Sequence, residues 1–132
     1  PKGLVGSEMC IRDSCLPISK ITECVNFAEA QTKKLGLRAP MVGHLGDGNF
    51  HVILPYDPKE EGTYNKIRDF SDLLIEKTLE LNGTITGEHG VGLHKKAYLL
   101  KEHGDCIPLM KSIKRSIDQN NIMNPGKIFD LN

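Results

Sequence analysis

Two histidines frame an Asp-Gly pair in the stretch GHLGDGNFHV, residues 43–52. Asp-Gly between two extended runs favours a two-residue hairpin turn, because a type I′ turn needs positive φ at both central residues. In such a hairpin His44 lies directly opposite His51, and opposed side chains share a face with Cβ atoms roughly 4.5–5.5 Å apart. This register predicts that both imidazoles chelate one metal ion. Paired histidines on a strand are equally compatible with a plain surface.

A glycine-rich stretch, GEHGVG at residues 87–92, carries a second pair of reactive side chains. Three glycines within six residues indicate tight turns or close approach of the backbone to a ligand. Glu88 is predicted to complete a site of two histidines and one carboxylate that keeps open positions. The adjacent His89 does not easily reach the same ion with the same geometry, so we interpret it as an acid/base group. The alternative is a loop with an incidental Glu-His pair.

Helices and strands must position these residues. A helix is predicted over residues 19–35, capped by Ser19 and ended by Gly36. Strands are predicted over residues 39–46 and 49–56, on either side of the Asp47-Gly48 turn. Helix, hairpin and helices in this order favour an α+β domain, in which helices cover an antiparallel sheet.

Further helices follow the hairpin. One is predicted from about Thr63 to Leu81 and ends at Asn82-Gly83, and another is predicted over residues 93–101. The last begins at a cap formed by Asp105, with Pro108 in its first turn. The predicted buried faces are Ile21, Val25 and Ala28; Tyr64, Ile67, Phe70 or Ser71, Leu74 and Leu81; and Leu109, Ile113 and Ile117.

Composition excludes several classes of protein. The chain has 132 residues, no net charge and 39% hydrophobic residues, which fits one folded domain rather than a disordered tail. No window approaches the ~18 apolar residues that a transmembrane helix needs. The charge balance and the few aromatic residues give no reason to expect a nucleic-acid partner. The four cysteines form no CxxC pair, which favours reduced thiols.

The N-terminal segment has an unusual sequence. Residues 4–14, LVGSEMCIRDS, match the translation of a transposase sequencing adapter at every position. We therefore predict that residues 1–14 are a non-native, adapter-derived segment, and no helix or strand is assigned to them. A genuine N-terminal arm is the alternative. On the first interpretation the natural chain resumes near Cys15, and residues 15–132 are the C-terminal part of a longer protein.

Three motifs in order resemble one family. HLGDGNFH at residues 44–51, TGEHGVG at residues 86–92 and NPGKIF at residues 124–129 are similar to the C-terminal domain of FAD-linked oxidases. This family includes D-lactate dehydrogenase (cytochrome), glycolate oxidase and D-2-hydroxyglutarate dehydrogenase. CLPIS, residues 15–19, resembles the segment before the first helix of that domain. The resemblance implies a truncated, ferredoxin-like cap domain whose separate N-terminal FAD-binding domain is absent here.

The resemblance also implies roles for individual residues. His44, His51 and Glu88 would bind a divalent metal (zinc, manganese or iron), and His89 would take the hydroxyl proton of a 2-hydroxy acid. FAD would accept the hydride and leave the 2-keto acid. Asn49 would support substrate binding, and Asn124 and Lys127 would lie near the flavin. Asp47 is expected to be a turn residue only, and His94 and His103 are expected to face solvent.

Substrate, electron acceptor and location follow from the same resemblance. Ile53 stands where hydroxyglutarate-oxidising relatives have Asn, and an apolar side chain cannot hydrogen-bond a second carboxylate. This favours small or apolar 2-hydroxy acids, D-lactate first. The acceptor would be cytochrome c, a quinone or electron-transfer flavoprotein. The location would be mitochondrial in a eukaryote, and cytoplasmic or peripheral to the inner membrane in a bacterium.

Two other functions stay open from the residues alone. A self-contained metallohydrolase would use the same two histidines and Glu88 with a metal-bound water, and would need no upstream domain. A non-catalytic interaction domain would use neither the metal nor His89.

Overall fold

The computed structural model describes residues 8–131, which form two compact units, residues 8–88 and 89–131. The first unit contains three strands, β1 (Glu8–Cys15), β2 (Met41–His44) and β3 (Asn49–Tyr56). It also contains two long helices, α1 (Ile18–Leu35) and α2 (Thr63–Glu80). The second contains helix α3 (Lys96–His103) and helix α4 (Ile107–Ile117). The predicted α+β class is confirmed. No helix among residues 8–131 combines the length and apolar character needed to span a bilayer.

Strand β3 is the centre of a three-stranded antiparallel sheet with the order β1-β3-β2. The predicted hairpin is its β2–β3 half. Strand β1 pairs with β3 along its whole length, from Glu8 opposite Tyr56 to Cys15 opposite Asn49. Part of the adapter-like segment thus forms a sheet strand, while residues 4–7 of that segment lie outside the described residues. Its adapter origin stays a prediction.

Alternation along β3 places the core on one side of the sheet. Phe50, Val52 and Leu54 are buried against the two long helices. Residues 49, 51 and 53 point to the opposite face, because successive side chains of a strand alternate. The helices supply Ile21, Cys24 and Ala28 from α1, and Ile67, Phe70 and Leu74 from α2.

Polar contacts attach β1 to helix α2. Arg12 donates from Nε to Ser71 Oγ at 2.6 Å, and Thr78 donates from Oγ1 to Ser14 Oγ at 3.1 Å. Since Ser14, Ser71 and Thr78 are buried, these bonds satisfy hydroxyl groups that would otherwise be costly in the core.

The predicted helix bounds are close, but both predicted N-caps are wrong. Helix α1 begins one residue earlier than expected, with Pro17 at the cap position, so Ser19 lies inside the first turn. Helix α4 begins after Cys106, and Asp105 lies in the short 3₁₀ helix Gly104–Cys106. Gly36 does end α1 with a left-handed φ of 68°, and Pro108 does lie in the first turn of α4.

Two predicted buried faces need correction. Tyr64 of α2 is exposed, whereas Ile67, Phe70, Ser71, Leu74 and Leu81 are buried as expected. Leu109, Ile113 and Ile117 of α4 are each more than half exposed, so the predicted burial of this face is wrong. A helical period identifies an apolar face but does not specify what covers it.

In the second unit, residues near its start contact residues near its end. Lys96 Nζ contacts Asp130 Oδ1 at 2.7 Å and Gly126 O at 3.3 Å, and Ile128 N donates to Gly92 O at 2.8 Å. The motif NPGK forms a turn in which Lys127 N donates to Asn124 O at 3.3 Å. Helix α3 starts at Lys96 rather than Leu93, because residues 93–95 form turns before it.

Candidate metal centre

The turn between β2 and β3 is longer than predicted. Residues Leu45–Asp47 form a 3₁₀ turn closed by Gly48, which has φ 82° and donates its N–H to Leu45 O at 3.2 Å. His44 therefore pairs with Asn49, and Val42 pairs with His51. The predicted direct opposition of His44 and His51 is wrong. The Asp-Gly dipeptide favours a two-residue type I′ turn, in which both residues have positive φ. Here the 3₁₀ turn of Leu45–Asp47 makes the loop longer, and Gly48 supplies the positive φ at its end.

The corrected register keeps both histidines on one face. A shift of two residues preserves the face of every side chain, whereas a shift of one would reverse it. His44 and His51 become diagonal neighbours, and their ring centroids lie 6.3 Å apart with the planes nearly perpendicular. Long side chains reach one another across a diagonal pair, so the imidazoles still converge.

A return loop brings Glu88 to the same face. After α2 the chain forms an isolated bridge with the end of β1, where Thr84 N donates to Cys15 O at 2.8 Å and Cys15 N donates to Thr84 O at 3.1 Å. Gly87 then passes directly over the buried side chain of Asp13. A Cβ at Gly87, which has φ 40°, would lie 2.4 Å from Asp13 Oδ2. Glycine at this position therefore lets the backbone come close enough to place Glu88 beside the histidines.

The three predicted ligands meet at this point. Glu88 Oε1 lies 3.1 Å from His51 Nε2, and Glu88 Oε2 lies 3.9 Å from His44 Nε2. One donor atom from each of the three residues lies within 4.8 Å of the others. Two donors that each lie about 2.1 Å from one ion are at most about 4.2 Å apart. The two separations from Glu88 meet this limit, whereas the 4.8 Å bound on the whole cluster exceeds it, so a small movement of the side chains would bring all three donors onto one divalent ion. The two imidazoles supply nitrogen donors, and the Glu88 side chain supplies carboxylate oxygens, which is a donor set that divalent transition metals accept.

Burial differs across the cluster. The His51 side chain is 9% exposed, against 64% for His44 and 49% for Glu88. A further polar group, Asn49, is buried on the same face, and its Oδ1 accepts no hydrogen bond from any residue in the described range 8–131. Most buried polar atoms have a hydrogen-bond partner, so this acceptor is a candidate position for contact with an ion, a ligand or a water molecule.

The remaining predicted residues occupy exposed positions. His89 lies in the turn that follows Glu88 and belongs to the second unit, as do Asn124 and Lys127 in the NPGK turn. His94 and His103 are exposed, as expected, and His103 contacts Glu102 at 3.1 Å. Asp47 is exposed within the 3₁₀ turn, which confirms its interpretation as a turn residue.

Sequence reasoning missed Asp13. This buried carboxyl group lies directly opposite His51 in the β1–β3 register and against Gly87 in the return loop. Because residues 4–14 match an adapter sequence, the sequence predicts no strand there. No short sequence motif signals Asp13, because its strand partner His51 lies 38 positions further along the chain.

Comparison with known proteins adds an independent observation. The family model described as "FAD linked oxidases, C-terminal domain" matches residues 2–128. The chain is 39% identical over 120 residues to a probable mitochondrial D-lactate dehydrogenase of Danio rerio, covering 90% of this chain and 24% of that protein. It is 38% identical over 125 residues to the mitochondrial D-lactate dehydrogenase (cytochrome) of Arabidopsis thaliana, covering 94% and 22%.

A bacterial relative shows similar agreement. The glycolate oxidase protein GlcD of Bacillus subtilis is 38% identical over 122 residues, covering 90% of this chain and 26% of that protein. The chain thus spans about a quarter of the length of these curated relatives.

Proposed function

This chain belongs to the family of FAD-linked oxidase C-terminal domains, and from that premise we propose that it is the substrate-binding part of a D-2-hydroxy-acid dehydrogenase. D-lactate is the proposed substrate and pyruvate the product. The observation that carries the proposal is the convergence of His44, His51 and Glu88 on one face of the sheet. The relatives named as D-lactate dehydrogenases support the choice of substrate.

His44, His51 and Glu88 are the residues that would hold a divalent ion. When bound, the ion supplies Lewis-acid polarisation of the substrate oxygens, and FAD supplies a hydride acceptor. The chain positions the donor atoms, since the nearly buried His51 holds one of them on the central strand of the sheet. His89, next to Glu88 in sequence, is proposed to take the proton from the substrate hydroxyl group.

The composition of the sheet face supports a small apolar substrate. Ile53 follows His51 by two residues on β3, and Val42 pairs with His51, so both apolar side chains share the face of the histidines. Val42 is substantially exposed. An apolar surface beside the cluster suits the methyl group of D-lactate and offers no donor to a second carboxylate.

Other parts of the proposal extend beyond this chain. FAD is proposed to be bound mainly by an N-terminal domain upstream of residue 15, with Asn124 and Lys127 near the flavin. The proposed electron acceptor is cytochrome c, a quinone or electron-transfer flavoprotein. Mitochondrial relatives support a mitochondrial location if the source is eukaryotic. Residues 1–14 are proposed to be adapter-derived, and an uninterrupted genomic reading frame through residues 4–14 would contradict this.

The test measures D-lactate-dependent reduction of an artificial electron acceptor by the reading frame that contains this sequence. We expect a chelator to abolish the activity and His89→Ala to lower kcat by roughly 10²–10⁴-fold, because a general base contributes about that much. His94→Ala, which removes another exposed histidine of the same unit, is the matched control and should retain activity. Full activity in His89→Ala would refute the role of His89.

A further inference from the structure

Asn49 carries a polar atom that the fold leaves unsatisfied. The residue is 7% exposed, and its Oδ1 is buried without a hydrogen bond from any residue in the described part of the chain. Buried side-chain oxygens nearly always have a partner. The position is not a flexible loop, because Asn49 begins β3 and pairs with residues on both neighbouring strands.

The register places this oxygen among the metal-binding candidates. Asn49 is the direct cross-strand partner of His44, and it precedes His51 by two residues on the same face of β3. Directly opposed side chains have Cβ atoms about 4.5–5.5 Å apart. The carboxamide of Asn49 therefore lies on the face, and at the end of the sheet, where His44, His51 and Glu88 converge.

We propose that the Asn49 carboxamide oxygen is a fourth protein ligand to the divalent ion. This inference rests on the proposed function and goes beyond its three ligands. An amide oxygen is a neutral, hard donor, and among the candidate ions it suits Mn²⁺ best. His44, His51, Glu88 and Asn49 would together hold the ion, and the ion would supply Lewis-acid polarisation of the oxygens of a 2-hydroxy acid.

The experiment titrates Mn²⁺ into the metal-free 132-residue chain by calorimetry and measures water-proton relaxation of the complex. Asn49→Leu removes the oxygen at similar volume. We expect at least a tenfold loss of Mn²⁺ affinity, with additional water on the bound Mn²⁺ because water replaces the lost donor. Asn49→Asp keeps an oxygen at the same position and should restore affinity to the wild-type level or above.

Two further measurements separate ligation from a structural role. The metal-free melting temperature of Asn49→Leu should equal or exceed that of the wild type, because no hydrogen bond to Oδ1 is lost. Thr32→Val removes a buried hydroxyl group that does donate a hydrogen bond, to Glu29 O at 3.0 Å, on helix α1. This control should leave Mn²⁺ affinity unchanged.

The outcomes distinguish this inference from the proposed function. Equal Mn²⁺ affinity in wild type and Asn49→Leu overturns the fourth ligand and leaves the three-ligand site standing. A wild-type chain that binds no Mn²⁺ overturns both. If Asn49→Leu does not fold, Asn49→Asp decides: affinity at least tenfold below wild type overturns the inference, and wild-type or higher affinity supports it.

Discussion

His51 is the fixed member of the candidate metal centre. It lies on the central strand, its side chain is nearly buried, and its Nε2 already contacts Glu88 at 3.1 Å. His44 and Glu88 are far more exposed, so their rotamers have more freedom. We therefore infer that an ion would be bound by moving His44 and Glu88 towards His51, at little cost to the core.

A different single residue controls the end of helix α4. Asp118 is buried and accepts backbone N–H bonds from Ile122 and Met123, both at 2.9 Å, and it pairs with Lys114. Its hydrogen bond to Lys114 is the main cause that lowers its pKa from 3.8 to about 2. The ionised carboxylate thus stabilises the turn after the helix.

The lowered pKa predicts a pH dependence of stability. The contribution of Asp118 should be fully present above about pH 4 and should be lost as the pH falls through about 2, because the folded protein then binds the proton. Asp118→Asn should lower the melting temperature at neutral pH, and the difference from wild type should vanish near pH 2. Circular dichroism melts measure this, with the exposed Asp105→Asn as control. A constant difference across this pH range would contradict the assignment.

At the scale of elements, the β2–β3 turn determines how the metal centre forms. Gly48 has φ 82°, and a Cβ there would lie 2.2 Å from Leu16 O. That carbonyl belongs to the segment between β1 and α1, and Leu16 N donates to Gly48 O at 2.8 Å. The turn is therefore in contact with the rest of the first unit through backbone atoms that cannot easily move.

Two glycines of the same turn offer a matched comparison. Gly48→Ala should destabilise the chain by roughly 2 kcal/mol or more, because it adds both left-handed strain and a clash with backbone. Gly46→Ala should change stability by less than about 0.5 kcal/mol, since no atom lies within 4 Å of its added Cβ. Urea unfolding of both variants checks this prediction. Equal destabilisation would mean that the turn does not depend on Gly48.

The elements also show what the sequence can and cannot predict. Helix α1, helix α2 and strand β3 lie within a residue or so of their predicted bounds, because apolar periods and glycine stops are strong local signals. The predicted register of the hairpin is wrong, since dipeptide preference alone does not fix loop length. The prediction that both histidines share one face still holds, because the register differs by two residues and such a shift preserves the face of each side chain.

At the scale of the whole chain, the motifs predict the family and the family model confirms it. The contribution of β1 and Asp13 could not be predicted, because strand pairing between residues 8–15 and 49–56 is a non-local contact with no short motif. The exposure of Leu109, Ile113 and Ile117 could not be predicted for a related reason: amphipathic spacing does not identify the covering surface.

Cation binding by His44, His51 and Glu88 is the central claim, and equilibrium dialysis of the metal-free chain against Zn²⁺ tests it most directly. We predict one ion per wild-type chain and at least tenfold weaker binding by Glu88→Gln, which keeps the shape of the side chain but removes its charge. Glu60→Gln, at an exposed carboxylate of the same unit, should bind like wild type. A wild-type chain without a bound ion, or equal binding by Glu88→Gln, would contradict the three-ligand metal centre.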